Sequence, residues 1–209
     1  MKKIEFKPLI LTIVLIAFQS LCYFVSKLFG GNPHLIGSFI DDKIPFNMWF
    51  IIPYCIWYVL IFLIPYYIYK KDKDLFVRYI VSYTLCTVVA NIIFIVYPTY
   101  VDRPIVSGNG VLEFITKVVF AVDTPPQNCF PSLHCAVSML FVLYMFRCKE
   151  CSLPSKVITF IIAIMIMVGT LFVKQHVLID LISGDVIALF IYLVVSKIDV
   201  SKIKELLCV

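Results

Sequence analysis

Asn128-Cys129-Phe130-Pro131-Ser132-Leu133-His134 is the point at which a polar loop gives way to an apolar run that continues to Arg147. The first turn of a helix has free backbone N–H groups and a partial positive charge, so it can bind an anion such as phosphate. Proline suits the first helical position, because it has no N–H to lose there. We therefore expect Pro131 to begin a helix, with Ser132 and His134 in its first turn.

The composition around this stretch is that of a polytopic membrane protein. Of the 209 residues, 62% are hydrophobic and 15% are charged, whereas soluble domains are roughly 45–50% apolar. Each crossing of a hydrocarbon core about 30 Å thick takes about 20 apolar residues. We predict an all-α fold, a single integral membrane domain over residues 1–209, with six spans near 9–29, 49–69, 76–97, 131–147, 157–173 and 177–196.

The long loop between the third and fourth spans contains one further helical pattern. Residues 110–121 place Leu112, Ile115 and Val119 at helical spacing. This spacing predicts a short interfacial helix that lies on the membrane. A short helix that packs over the bundle has the same pattern, and both interpretations are open.

Lysine and arginine counts predict the orientation of the bundle. Thirteen of the 18 lie at the N-terminus, in the turns at 70–78 and 147–156, and in the tail from residue 197 onward, against five in the alternate connections. The positive-inside rule puts the first group in the cytoplasm, so both termini are cytoplasmic and Ser132, His134 and His176 lie on the opposite face. The formal net charge of +5 does not indicate nucleic-acid binding, because the cations form short clusters beside apolar runs.

A second polar cluster, Lys174-Gln175-His176, stands where the sixth span begins, and Asp180 follows four residues after the histidine. Residues four apart share one face of a helix, so the carboxylate can accept a hydrogen bond from one ring nitrogen and leave the other free. Ionisable residues inside spans are costly and usually functional. The pair predicts an oriented, nucleophilic imidazole, and the alternative is a structural pair that ties two spans together.

A third cluster lies at the outer end of the third span, where Arg103 precedes Pro104. The planar fork of an arginine suits the oxygens of a phosphate, although an arginine that snorkels to the lipid headgroups has the same position. Asp123 and Asn128, further along the loop, are candidates for orienting these groups or for capping the loop.

With these residues in view, the sequence resembles the type 2 phosphatidic acid phosphatase superfamily of membrane lipid phosphatases and phosphotransferases. The family pattern is a Lys with an Arg-Pro further on, then Pro-Ser-x-His, then Ser-Arg with a His and an Asp four residues beyond it. Here Arg103-Pro104, Pro131-Ser132-Leu133-His134, and His176 with Asp180 match it in order and approximate spacing. The resemblance covers about residues 40 to 195.

The sequence departs from that pattern at two places. Val96 stands where the family has its first Lys, and Gly169-Thr170 stands where it has Ser-Arg. Lys174 is the candidate to restore one of the two missing charges. Lys-Gln-His together with Phe-Pro-Ser-Leu-His resembles the branch that includes inositol phosphorylceramide synthase relatives, which keeps transfer to a lipid hydroxyl open beside hydrolysis.

The resemblance implies a reaction through a phosphohistidine, without metal or cofactor. His176 would attack phosphorus, Asp180 would orient it, and His134 would protonate the leaving group and then activate the acceptor. The groups that would bind the phosphate are Arg103, Ser132 and Lys174, with Asn128 and Asp123 behind them. The substrate would be a membrane lipid phosphate or diphosphate.

Two other classes of protein remain as alternatives. A metal-dependent membrane hydrolase would use His134, His176, Asp180 and Asp185 as ligands, but no segment has the His-Glu-x-x-His spacing. A transporter or scaffold with a structural His–Asp pair predicts broken helices and repeats, which the sequence does not contain. Ile- and Lys-rich usage and short loops indicate a bacterial cytoplasmic membrane, with the site on its outer face. The sequence does not indicate an oligomeric state.

Overall fold

The computed structural model describes residues 5–29 and 31–209, most of which are helical. Lys2 and Lys3 of the N-terminal charge cluster, and Gly30 at the end of the first span, lie outside the described residues. Within the described part the helices are α1 Phe6–Phe29, α2 Phe39–Lys43, α3 Ile51–Lys71, α4 Lys73–Val96, α5 Val111–Val122, α6 Leu133–Arg147, α7 Leu153–Phe172, α8 Leu178–Val195 and α9 Ser201–Leu206. A 3₁₀ turn, Met48–Phe50, leads directly into α3.

Five helical segments of the described chain are long and apolar enough to cross a membrane. They correspond to five of the six predicted spans, so the prediction of a largely helical integral membrane protein is confirmed. The five are Phe6–Phe29, Met48–Lys71, Lys73–Val96, Leu153–Phe172 and Leu178–Val195.

Helix α6, the fourth predicted span, is shorter than the others. Its 15 residues extend over about 22 Å, less than the roughly 30 Å of a hydrocarbon core. It is well enclosed, because it contacts α3, α4, α7 and α8 and nine of its 15 residues are buried, among them Val137, Leu140 and Phe141 without exposed surface. The helix that carries His134 is therefore held in position from all sides.

One end of the bundle collects both termini and is called the terminal end. Lys7 Nζ donates to the carbonyl oxygen of Cys208 at 2.7 Å, and Lys204 Nζ to Asp74 Oδ1 at 2.6 Å. Arg78 reaches the carbonyl oxygen of Ile198 at 2.7 Å. The predicted grouping of the N-terminus, the 70–78 turn and the tail is thus present in the structure, while the compartment that they face stays a prediction.

At the opposite end, called the site end, two short strands join the first and second long loops. The strands β1 His34–Leu35 and β2 Thr99–Tyr100 pair in parallel, with His34 opposite Thr99. Strands of two residues are too short to produce an alternating pattern, so no local pattern predicts them. They fix the loop that carries Arg103 beside the loop that carries α2.

Helix α5 occurs where the long loop was expected to be helical. Leu112, Ile115 and Val119 pack against a buried cluster formed by Ile51, Tyr54 and Val173. The opposite face is apolar and exposed, with Val111 and Phe114 more than half accessible. The helix therefore packs over the site end of α3 and presents a second apolar face outward.

Candidate active site

His176 and Asp180 are in contact, but not on one helix face as predicted. His176 precedes α8, whose N-cap is Val177, and its Nδ1 lies 3.2 Å from Asp180 Oδ2. The same carboxylate oxygen accepts the N–H of Val177 at 3.0 Å. Asp180 is fully buried, whereas the His176 side chain keeps 10% of its surface exposed. The carboxylate thus orients the imidazole from the first turn of α8 and leaves its other nitrogen available.

Helices α6 and α8 approach closely beside this pair. The N–H of Ser132 donates to the backbone carbonyl of Asp180 at 3.0 Å. A Cβ atom added to Gly184 would overlap the carbonyl oxygen of Ser132 and lie 3.2 Å from the nitrogen of Ala136. Only a residue without a side chain allows this approach, and it brings the start of α6, with His134, to the start of α8.

The start of α6 differs from the expected one. Pro131 precedes the helix, and Ser132 is its N-cap, with Oγ accepting the N–H of Cys135 at 3.3 Å. Serine is a strong N-cap residue. Because the Ser132 hydroxyl caps the helix, the first helical residue is Leu133 and not Pro131 as predicted. Ser132 has no exposed surface, so its hydroxyl caps the helix instead of facing a cavity. The N–H groups of Leu133 and His134 have no acceptor within the described residues.

His134 lies among aromatic rings and faces His176. Its ring is stacked on Tyr54 at 4.7 Å and lies 4.4 Å from Trp57, and its centroid is 6.0 Å from that of His176. Nε2 of His134 is buried without a hydrogen-bond partner in the described structure. A buried, unpaired ring nitrogen is costly, and a substrate oxygen placed between the two histidines would pair it.

Arg103 is not free to bind a phosphate with its whole fork. One terminal nitrogen donates to Asp123 Oδ2 and to Gln175 Oε1, the latter at 2.6 Å, and the other donates to the carbonyl oxygen of Asp123 at 3.2 Å. The guanidinium also lies 5.1 Å from the centre of the Phe120 ring. Nε is buried without a partner in the part of the chain that the structure describes. Arg103 is thus held rigidly, and three of its five N–H groups are occupied, which leaves Nε–H and one N–H of the nitrogen that binds the Asp123 carbonyl without a partner among the described residues.

Asp123, predicted to stand behind the phosphate groups, is the counter-ion of two cations. Besides Arg103 it accepts Lys27 Nζ at 3.0 Å and the hydroxyl of Tyr23. Burial acts to raise the pKa of Asp123, but Arg103, the Tyr23 hydroxyl and Lys27 together hold it below its usual range. Sequence reasoning did not predict this role of Lys27, because its position in the last turn of α1 is an ordinary one for a lysine.

Lys174 lies at the site in a left-handed backbone conformation, with φ of +56°. Its Nζ donates to the carbonyl oxygen of Asp41 at 2.9 Å. The Asp41 carboxylate accepts the N–H of Leu178 at 2.7 Å and both donors of Ser38. Asp41 therefore fixes the start of α8 and the position of Lys174.

Asn128 connects the motif loop to α1. Its Nδ2 donates to Ser26 Oγ at 2.9 Å and to the carbonyl oxygen of Tyr23 at 3.0 Å. Its φ is +61°, a conformation that asparagine tolerates better than most residues. Asn128 is a structural tie that holds the loop before Ser132 in place.

The residues that depart from the family pattern lie outside the two-histidine contact. Val96 is 78% exposed at the end of α4, and Thr170 is fully buried. A Cβ at Gly169 would lie 3.2 Å from the carbonyl oxygen of Phe50. A side chain at Gly169 would therefore press against packed backbone, and a long cationic side chain at Thr170 would be placed in the buried interior.

Two cavities meet at His176. The inner cavity has a volume of about 370 Å³. Aromatic and aliphatic side chains of α1, α3, α4 and α5 line it together with polar residues that include His134, His176 and Asp123. The outer cleft has a volume of about 720 Å³ and is lined by polar loop residues, among them Arg103 and Lys174. Both volumes are of the size of small-molecule sites. The exposed edge of His176 can therefore contact an apolar and a polar part of one ligand.

Of the predicted site residues, the structure brings His176, His134, Asp123, Asn128, Arg103 and Lys174 to these cavities, while Asp180 is buried behind His176 and lines neither. It places the Ser132 hydroxyl in a helix cap and Asn128 in a tie to α1. It does not bring together the four ligands of the metal-hydrolase alternative: within residues 5–29 and 31–209, no three His, Cys, Asp or Glu side chains are grouped so that they could hold one metal ion.

Comparison with known proteins gives one match. The family model of the PAP2 superfamily matches residues 19–194. Searches of curated proteins and of solved structures found no significant match. Because the family match covers most of the chain and includes Arg103, both histidines and Asp180, the protein belongs to the PAP2 (type 2 phosphatidic acid phosphatase) superfamily, whose chemistry is phosphatase or phosphoryl transfer.

Proposed function

We propose that the protein hydrolyses or transfers the phosphoryl or phospho-headgroup of a membrane lipid through a phosphohistidine on His176, without a metal. The observation that carries this proposal is the His176–Asp180 pair, with His134 6.0 Å away, at the junction of an apolar and a polar cavity. A lipid phosphate has the same two parts, and its phosphorus would lie where the two cavities meet.

In the first half-reaction, we assign the Nδ1 proton of His176 to the hydrogen bond with Asp180, which leaves Nε2 as the nucleophile. The lone pair of Nε2 forms the N–P bond as the P–O bond to the leaving group breaks. His134 donates a proton to the departing oxygen. Asp180 stabilises the charge that develops on the His176 ring.

The second half-reaction reverses these roles. A water or lipid hydroxyl gives its proton to His134, its oxygen bonds to phosphorus, and the N–P bond breaks. The developing charge on the phosphoryl oxygens would be stabilised by Nε–H of Arg103, the Lys174 ammonium and the free N–H groups of Leu133 and His134. No step requires a metal.

We further propose that α6 is a sixth span, that α5 lies at the membrane surface, and that the whole chain is one membrane domain. A 15-residue helix suffices when other helices surround it and its ends lie below the bilayer surface. The exposed apolar face of α5 suits an interface. The positive-inside count puts the terminal end in the cytoplasm and the site end outside.

The chemical test uses all three histidines. Purified protein with EDTA is assayed against lipid phosphates, diphosphates and phosphodiesters, and wild type is compared with His176→Ala, His134→Phe and His34→Ala. His34 is the matched control, because it stacks on Tyr97 at the same end and lines neither cavity. We expect no turnover in His176→Ala, a loss of about 10²–10⁴-fold in His134→Phe, and wild-type rates in His34→Ala.

Full activity in His176→Ala, or complete loss of wild-type activity with EDTA, would refute the mechanism. Absence of turnover with every lipid would favour the transporter or scaffold alternative. The orientation is tested in intact cells by labelling Asp102→Cys, in a chain whose own cysteines are replaced, with a membrane-impermeant maleimide. Protection of that residue would show that the site end faces the cytoplasm.

A further inference from the structure

We propose that the outer cleft selects lipids whose head group joins an ammonium to a phosphodiester, with Asp42 and Asp102 as the residues that determine this preference. The inference rests on the proposed function, since it names the class of head group that the same site accepts. It is carried by the balance of charges in the cleft and by Arg103, which lines the cleft and whose guanidinium is only partly occupied by partners among the described residues.

The outer cleft has an unusual charge for a phosphate site. Three carboxylates, Asp41, Asp42 and Asp102, line it together with two cations, Arg103 and Lys174. Arg103 is moreover paired with Asp123 from the other side. A phosphate monoester carries close to two negative charges at neutral pH, and it would meet more negative than positive groups here.

Only two of the three carboxylates are available to a ligand. The oxygens of Asp41 are taken by the N–H of Leu178 and by Ser38. Asp42 and Asp102 are exposed and have no ion-pair or hydrogen-bond partner within residues 5–29 and 31–209. The cleft therefore offers two free negative groups to whatever extends beyond the phosphate.

The phosphate itself would have a small set of donors. The Arg103 side chain is 8% exposed, lines the cleft, and keeps its buried Nε without a partner in the described structure. A guanidinium already paired with Asp123 and the Lys174 ammonium suit a phosphodiester, which has a single negative charge. An ammonium attached to that diester would approach the free carboxylates. Each charge of the head group would then face an opposite charge of the cleft.

The volume agrees with an extended head group. The cleft of about 720 Å³ has the size of a site for a small molecule, far more than one phosphate fills. The polyol of an inositol or glycerol head group would fit it by size, but it would leave Asp42 and Asp102 without a counter-charge. Charge, more than size, therefore distinguishes an ammonium-bearing head group.

The experiment measures binding separately from turnover. Short-chain lipids with identical acyl chains and four head groups, phosphoethanolamine, phosphocholine, phosphoglycerol and phosphate alone, are titrated into the full-length His176→Ala protein in detergent. We expect the ammonium-bearing lipids to bind about fivefold more tightly than the phosphoglycerol lipid at low salt, the upper range for exposed charge pairs. Salt should reduce this ratio, and comparison of ethanolamine with choline distinguishes the two sources of ammonium.

In Asp42→Asn/Asp102→Asn the ratio should fall to about one. The matched control is Glu150→Gln/Glu205→Gln, which removes two exposed carboxylates that line neither cavity, and should keep the ratio. Equal or weaker binding of the ammonium-bearing lipids, or a ratio that the Asp42/Asp102 double variant keeps, would overturn the inference. If turnover still depends on His176 in that case, the proposed function stands; selective binding without turnover of any lipid would overturn the proposed function instead.

Discussion

The guanidinium of Arg103 is hydrogen-bonded to the carboxylate of Asp123. This pair connects the segment between β2 and α5 to the residue that ends α5. Lys27 of α1 binds the same carboxylate at 3.0 Å. The side chains of Arg103 and Lys27 are less than 10% exposed. One carboxylate therefore neutralises two buried cations and joins three segments around the inner cavity.

Asp123→Asn should strongly destabilise the protein. The amide preserves the shape but leaves two buried cations without a counter-charge, which costs about 3 kcal/mol. The free energy of unfolding in mixed micelles measures the effect. Glu5→Gln is the control, since it breaks the exposed pair with Lys70 and should cost less than about 1 kcal/mol. Equal losses of unfolding free energy in the two variants would show that the Asp123 network stabilises the protein no more than an exposed ion pair does.

The contribution of Asp123 should depend on pH in a defined direction. Because its folded pKa lies below the usual value, the stabilisation is fully present above the unfolded pKa of about 3.9 and is lost as the pH falls through the folded pKa. The stability difference between wild type and Asp123→Asn should thus stay constant from pH 7 to about 5 and shrink only in stronger acid. A difference that disappears already near pH 6 would contradict this assignment.

Sequence reasoning located the candidate site residues but not the contacts that hold them in place. Hydropathy and residue spacing are properties of the local sequence. They predict five of the spans and place His134, His176 and Asp180 among the candidate residues. The roles of Lys27, Asp41 and Gln175 depend on contacts between segments that are up to 137 residues apart, and no local pattern contains them.

Two local predictions were wrong for physical reasons. Pro131 was expected to begin α6, but the Ser132 hydroxyl forms the cap one residue later. His176 and Asp180 were expected on one helix face, but the chain turns at Lys174 with φ of +56° and α8 begins only at Leu178. In both cases the helix began later than periodicity indicates, because side-chain caps determine helix starts.

Asp180→Asn should reduce turnover far more than it reduces stability. The amide can donate to Nδ1 of His176, so the ring would keep its proton on the nitrogen that must attack. A comparable loss of the orienting carboxylate in a serine protease lowers kcat by about 10⁴, and we expect at least about 10³ here. The control is Asp185→Asn in the same helix, which lines neither cavity and should leave kcat within about threefold. A similar loss in both variants would indicate a general effect of charge in α8.

Gly184→Ala should separate the two histidines. The new methyl group would overlap the carbonyl oxygen of Ser132, and because this oxygen belongs to the backbone, no side-chain rotation can relieve the overlap. Overpacking of this kind costs about 1–3 kcal/mol. The start of α6 must move outward, and His134 moves with it while Asp180 still holds His176.

A displacement of about 1 Å between catalytic groups can lower the rate about 10²-fold. We therefore expect Gly184→Ala to lower kcat by about 10²-fold and to change KM little. Gly184 lines neither the inner cavity nor the outer cleft, so the surfaces that bind the substrate keep most of their residues in place. Gly31→Ala is the control, because nothing lies within 4 Å of a Cβ added there. A rise in KM with unchanged kcat would mean that the α6–α8 contact shapes the substrate site without setting the distance between the histidines.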